Sequence, residues 1–307
     1  MNRIDTHQHI VPPRYAEWLR EKGIKPGGVD VPTWSESAAL EFMDGHGIQT
    51  GILSLSTPGV YFGDVAEACR WAREINIYCA DLRDRHPGRF GFFATLPMPD
   101  VDSAIEEAEY ALDVLQADGI VLLANYEGRY LGDETFLPLL EFLHERGTAV
   151  FVHPGELPAE PVPGIPGFTA DFLLDTTRTA ISLILSGAME RCANIKFILA
   201  HAGGFVPYIA YRILLTMARE GLAPSLDVLK RFYFDIALSA TPAALPSLLE
   251  VADPDHITYG SDFPFAPPIA VDAINGLYEK YPLDPALRAA IDRGNSEALF
   301  PRLKGQS

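Results

Sequence analysis

Residues 4–10 read IDTHQHI, a short apolar and β-branched run that carries two histidines two positions apart. In an extended strand alternate side chains share a face, so His7 and His9 project together as the chain leaves the strand. Alone the pair decides little, because two imidazoles at this spacing also arise without any ligand to hold. The turn itself is more telling: a dinucleotide-binding open sheet places a glycine-rich turn after its first strand, and here that position reads DTHQH.

Working outward, runs of the same kind cover residues 50–56, 90–96, 119–125, 149–153, 195–201, 231–238 and 256–261, which with the first make eight candidate strands. Most are continuously apolar rather than alternating, as expected of parallel strands covered on both faces. Helical patterns lie between them: Ile105, Ala108, Leu112 and Leu115 recur on one face, and Phe136, Leu139, Leu140 and Leu143 on another that stops at Gly147. Eight strand–helix units predict an α/β fold of the distorted (β/α)8 TIM-barrel type, one domain over residues 1–307, with the doubly wound sheet second. Two connections exceed what topology requires. Residues 11–35 include Trp18 and Trp34, and residues 154–167 include Pro154, Pro158, Pro161, Pro163 and Pro166. Long βα connections of this sort form lids or pocket walls.

The 307 residues are 48% hydrophobic, enough for a large core, and carry a formal net charge of -17. No Lys/Arg cluster runs against that charge, so nucleic acid is not an expected partner. The opening MNRIDTHQHIVPP lacks the apolar segment and cleavage site of a secretory signal, and no uncharged apolar run reaches the roughly 18 residues of a membrane span. The expectation is a soluble cytoplasmic protein without a membrane partner. Cys69, Cys79 and Cys192 are scattered and lack CxxC spacing, which points to buried, reduced thiols.

Three further residues give the histidine pair its weight. His153 ends the fifth candidate strand, His201 the sixth, and Asp262 follows the eighth in TYGSDFP. All five then gather at the C-terminal face of the barrel, where active sites of this fold form. Unpaired ionisable groups ending apolar strands would be costly to desolvate, and a shared cation satisfies them. Three neutral imidazoles and a carboxylate suit one divalent ion, zinc first and manganese as the harder alternative, with a coordination position left for water or substrate. His201 either completes that shell or stands beside it as an acid/base. Trp34, Tyr61, Phe62, Phe205 and Phe265 lie in loops expected to face the same mouth, as candidates for sandwiching a planar ring. His46, His86, His144 and His256 fall at helix ends or at the opposite face and are expected to be capping or surface groups.

The segments DTHQH, FVHPGE, ILAHAGG and YGSDFPF resemble the amidohydrolase-related family typified by aminocarboxymuconate semialdehyde decarboxylase, in order and spacing across nearly the whole chain. Within that family, IDTHQHIVPPRYAEWL and TGILSLSTPGVYF look most like the 6-methylsalicylate decarboxylase branch. The resemblance implies a metal held by His7, His9, His153 and Asp262, with His201 as acid/base. It also implies a carboxylate clamp: the family places an arginine eleven residues after the sixth-strand histidine, here Arg212, where it reaches into the partner subunit's site of a homodimer. Two departures matter. Dinuclear members bridge two ions with a carboxylated lysine ending the fourth strand, but GIVLLANYEG has no lysine, so one ion is expected. Resorcylate-type members begin with ExH and carry a glutamate three residues after the sixth-strand histidine; His7 and Gly204 occupy those positions, so that relay does not transfer intact.

The resulting expectation is a carbon–carbon lyase, a metal-dependent non-oxidative decarboxylase of a small aromatic or muconate-like carboxylic acid, with a 2-hydroxybenzoate such as 6-methylsalicylate foremost. The ion would orient carboxylate and ortho hydroxyl and stabilise developing charge, while Asp262 or His201 delivers a proton to the ring carbon. A hydrolase of a lactone or amide, and a hydratase, stand as alternatives on the same residues. A scaffold that merely retained the barrel should have lost ligands, and all five are present.

Overall fold

Eight parallel strands follow one another in chain order around a single sheet in the computed structural model, which describes residues 2–305. They are β1 (Arg3–His9), β2 (Ile48–Ser54), β3 (Phe90–Thr95), β4 (Gly119–Leu123), β5 (Ala149–His153), β6 (Lys196–Leu199), β7 (Tyr233–Asp235) and β8 (Ile257–Thr258). The ring closes where the chain after β8 returns to β1, through parallel bridges between Asp5 and Tyr259 and between Gln8 and Phe263. Thr6 N–H donates to Tyr259 O at 2.9 Å and His9 N–H to Phe263 O at 2.7 Å. The expected distorted (β/α)8 barrel is therefore the fold.

Its core has two layers. Ile52, Phe93, Val121, Phe151 and Ile198 fill the barrel interior, closed at the N-terminal end by Leu299, Phe300 and Leu303. A larger layer lies between strands and helices. Every residue of β3, β4 and β5 is buried, which explains why these runs read as continuously apolar. Each large side chain so buried contributes roughly 1.5–3 kcal/mol.

Several boundaries differ from the sequence expectation. β7 stops at Asp235 because its Oδ1 accepts the N–H of Ala237 at 2.8 Å and turns the chain. β8 stops at Thr258 because residues 259–263 leave it to close on β1. The helix expected to run through Leu115 ends at Glu109 and continues as one wider π turn over Tyr110–Val114. Residues 11–35 are less irregular than expected: they hold a helix at Pro13–Glu21 and a short turn at Pro26–Gly28. Residues 154–166 form no helix or strand and lead into the Gly167–Leu185 helix. Cys79 and Cys192 are buried and Cys69 is half-buried, all three unbridged. No helix among the described residues is long and apolar enough to cross a membrane.

Candidate metal centre and the cavity above it

The barrel brings the ends of β1, β5 and the closing loop together. Asp262 is delivered by that loop, its N–H donating to His7 O at 2.7 Å. Donor atoms of His7, His9, His153 and Asp262 all lie within 4.8 Å of one another. The Nε2 atoms of His7 and His9 are 3.0 Å apart, and Asp262 Oδ1 lies 3.4 Å from the first and 3.1 Å from the second.

The second ring nitrogen of each imidazole shows what fills the space between them. His7 Nδ1 faces Asp235 Oδ2 at 2.9 Å, His9 Nδ1 faces Ser54 O at 3.2 Å, His153 Nδ1 faces Pro154 O at 2.8 Å, and His201 Nδ1 faces Ala237 O at 3.1 Å. Carbonyl and carboxylate oxygens only accept, so each Nδ1 donates and each Nε2 presents a lone pair. Lone pairs converging beside a carboxylate repel unless a cation stands between them. The donor set thus fits one divalent ion, with Asp235 orienting His7 from behind.

Electrostatics agree. Burial opposes charge on His7, yet Asp235 and Asp262 outweigh it and push the imidazole up to about 10. Burial lowers His9, with Asp262 opposing and His7 assisting. Burial, then His9 and His7, hold His153 well below the ordinary histidine range. Asp262 is buried, which favours its neutral form, but the adjacent His7 and His9 imidazoles hold it well below the usual carboxylate range. Two carboxylates and neutral neighbours call for one positive charge where the donors meet, and either a proton on His7 or a metal ion supplies it.

Sequence reasoning missed two supporting carboxylates. Asp235 ends β7 as His153 ends β5, and the same logic of an ionisable group closing an apolar strand would have found it in FYFDI. Asp5 lies two residues before His7 and accepts from Ser261 Oγ at 2.5 Å and from Ser261 N–H at 3.0 Å, fastening β1 to the loop that carries Asp262.

His201 stands beside the four-donor group, its backbone N–H donating to Asp235 Oδ1 at 3.2 Å. His201 and Ala202 both hold φ of 55°, and Asp262 holds 64°. Left-handed non-glycine residues cost of order 1–3 kcal/mol each, and they persist where surrounding structure fixes them. At Gly204 an added Cβ would lie 2.2 Å from Leu173 O. No side chain fits there, which is the physical reason a glutamate relay is missing from this position.

Above the donors opens a cavity of about 570 Å³. His153, His201 and Asp262 form its floor, and Phe168, Phe172, Leu173, Leu238 and Phe265 are among its walls. Hydroxyls of Ser56, Thr57, Thr169 and Ser239 line it, and among the described residues no Lys or Arg does. Of the five aromatic residues expected at the mouth, Phe265 lines the cavity, edge-on to His9 with ring centroids 5.5 Å apart. The other four do not. Trp34 is buried beside Tyr78 at 6.4 Å, Phe62 packs on Trp18 at 5.0 Å, and Tyr61 lines a separate cavity of about 190 Å³ beside the ends of β2 to β5. Phe205 is half-buried off the cavity, its N–H donating to Thr177 Oγ1 at 2.8 Å. The Pro13–Glu21 helix draws Phe62 into its own packing through Trp18, while Phe168 and Phe172 of the Gly167–Leu185 helix supply the cavity wall instead.

Arg212 is exposed on the Ala210–Arg219 helix, among exposed Tyr208, Tyr211 and Leu215, and does not line the cavity of its own chain. His46, His144 and His256 bond Phe42 O, the N–H of Asn194 and Lys230 O, and His86 meets Glu36, all away from the centre.

Known proteins are similar throughout this architecture. A family model described as amidohydrolase matches residues 4–302. The chain is 36% identical over 321 residues to a 6-methylsalicylic acid decarboxylase of Penicillium expansum, covering 99% of this chain and 98% of that one. A crystal structure of an amidohydrolase II matches with a TM-score of 0.94 at 32% identity, covering 97% of this chain and 99% of that one. A dihydroxybenzoic acid decarboxylase of Polaromonas sp., solved with manganese and the inhibitor 2-nitroresorcinol, shares the fold with a TM-score of 0.80 at 24% identity, covering 98% and 97%.

Proposed function

We propose, since this chain belongs to the amidohydrolase family, that it is a metal-dependent non-oxidative decarboxylase of a small hydroxybenzoate-type acid, with 6-methylsalicylate the foremost substrate. The observation that carries this reading is a floor of converging Nε2 lone pairs and one carboxylate beneath a mostly apolar cavity with ample room for a single aromatic ring. His7, His9, His153 and Asp262 would hold the ion, and Asp235 would keep His7 oriented through its Nδ1–H. When bound, a divalent ion supplies Lewis-acid stabilisation of charge on the substrate's carboxylate and ortho hydroxyl. Zinc suits this donor set; manganese, which the Polaromonas decarboxylase carries, is its competitor.

We assign proton delivery to His201. Its Nδ1–H is engaged by Ala237 O, it stands outside the four-donor group, and it lines the cavity, so a proton taken up on its Nε2 lone pair, which makes the ring an imidazolium, faces the substrate. That proton bonds to the ring carbon bearing the carboxylate. The bond to the carboxylate then breaks, its electron pair restores the aromatic ring, and carbon dioxide leaves. One hydroxybenzoate anion and one proton thus give one phenol and carbon dioxide. Phe172, Leu238 and Phe265 keep water from the reacting carbon, so His201 rather than bulk solvent supplies the proton.

We further propose a homodimer. Tyr208, Tyr211 and Leu215 form an exposed apolar face around Arg212, and among the described residues no Lys or Arg lines the cavity to meet a carboxylate. Both features support a second copy covering this face and receiving Arg212 at its site.

The test is to incubate metal-loaded protein with hydroxybenzoates, muconate semialdehydes and lactones while following carbon dioxide and product mass. Release of carbon dioxide and 3-methylphenol from 6-methylsalicylate is expected. Lactone opening with no carbon dioxide from any acid would make the protein a hydrolase and overturn the reading.

A further inference from the structure

The turn Pro26–Gly28 and the Gly167–Leu185 helix meet over the cavity, one from each of the two long connections. Gly27 holds φ of +56°, and a Cβ placed on it would come within 2.6 Å of Phe172 Cζ. The backbone of the turn therefore rests on the tip of the Phe172 ring. Below, that ring stands nearly perpendicular to His153, with centroids 6.5 Å apart and an interplanar angle of 74°. Phe172 is thus confined between a backbone turn and the floor. Pro26, Val29, Phe168 and Leu173 contribute carbon to the same cavity, whose lining also includes Ser56, Thr57, Thr169 and Ser239.

We propose that the seat of Phe172 under Gly27 determines specificity, limiting the ring substituent beside the substrate's carboxylate to a hydrogen or a short alkyl group. This rests on the decarboxylase reading, which places the carboxylate at the floor to which His153 belongs. A substituent adjacent to that carboxylate is the one that reaches Phe172. An alkyl group there exchanges water for contact with the Phe172 ring. Length is limited because the ring cannot lift without displacing the backbone of the turn.

The experiment compares wild type, Phe172→Ala, Phe172→Leu and Gly27→Ala. Each is offered salicylates bearing hydrogen, methyl, ethyl or propyl at position 6, with kcat/KM measured. Calorimetric Kd values for the corresponding 3-alkylphenols give a readout that needs no turnover. Wild type should favour methyl over propyl by roughly 10- to 200-fold, the range one group in an apolar pocket commands. Phe172→Ala should move the optimum to ethyl or propyl in both measurements, Phe172→Leu should keep methyl foremost, and Gly27→Ala should shift preference toward the unsubstituted ring. Ratios unchanged within threefold across the four proteins, or a wild type that prefers propyl, overturn the proposal. Phenol affinities that shift as described with no carbon dioxide released from any acid uphold the role of Phe172 and remove the decarboxylase reading instead.

Discussion

The floor and the roof of this cavity are built by opposite means. The floor is made of strand ends: His7, His9 and Asp235 are fully buried, and every imidazole has its Nδ1–H bonded to a carbonyl or carboxylate. The roof is made of connections: Phe172 is half-buried and Phe168 is 55% exposed. Ladder hydrogen bonds between parallel strands hold positions to a fraction of an ångström, as metal geometry demands, while apolar packing under a turn tolerates exchange of side chains. Chemistry is therefore expected to reside in the floor and selectivity in the roof.

Substitutions that separate the two regions follow from this, in falling order of effect. His153→Ala removes a ligand, and metal content per chain and carbon dioxide release should both fall to background; an intact metal stoichiometry would break the distinction at its root. His201→Asn should keep its metal and lose on the order of 10²- to 10⁴-fold in kcat, the usual scale for one positioned acid/base. Unchanged turnover in that variant would take proton delivery away from His201. Asp235→Asn acts on a ligand from behind, and competition with a chelator should show metal affinity weakened by about 10- to 100-fold.

The smallest effect belongs to the anchor of the roof. Asp175 of the Gly167–Leu185 helix is buried, accepts the N–H of Gly155 at 2.8 Å and is bonded by Asn125 Nδ2 at 2.9 Å, tying the roof helix to the ends of β4 and β5. Burial, resisted by those two donors, pushes its carboxyl up to about 6. The native state then keeps a proton that the unfolded chain releases near its reference value of about 3.9. Stability from this group is complete below about pH 4 and declines as pH rises to about 6. Asp175→Asn cannot ionise, so between pH 4 and 7 its stability relative to wild type should rise by about 1–3 kcal/mol in urea titrations, with metal content unchanged. A difference that is flat with pH would remove Asp175 as the titrating anchor.

Much of the floor was legible before any coordinates. His7 and His9 share a face because strand side chains alternate, and His153 and Asp262 were placed by apolar runs that stop beside an ionisable residue. The aromatic wall was not legible in the same way. Trp34 and Phe62 had been expected there because their loops leave the correct end of the barrel, yet loop residues carry no periodicity that says which way a side chain turns. Phe172 belongs to a helix beyond a proline-rich stretch, and its neighbour Gly27 lies 145 positions earlier in the chain.

Sequence by itself determined eight parallel strands, their order, and the placing of His7, His9 and His153 at strand ends, because those follow from local period and composition. Tertiary structure alone decided that Asp235 stands behind His7, across 228 residues of chain, that residues 259–263 close the barrel, and that a glycine turn seats Phe172 over the metal floor. Hydrogen-bond direction and close packing are properties of pairs, and a pair distant in sequence has no distance until the backbone folds.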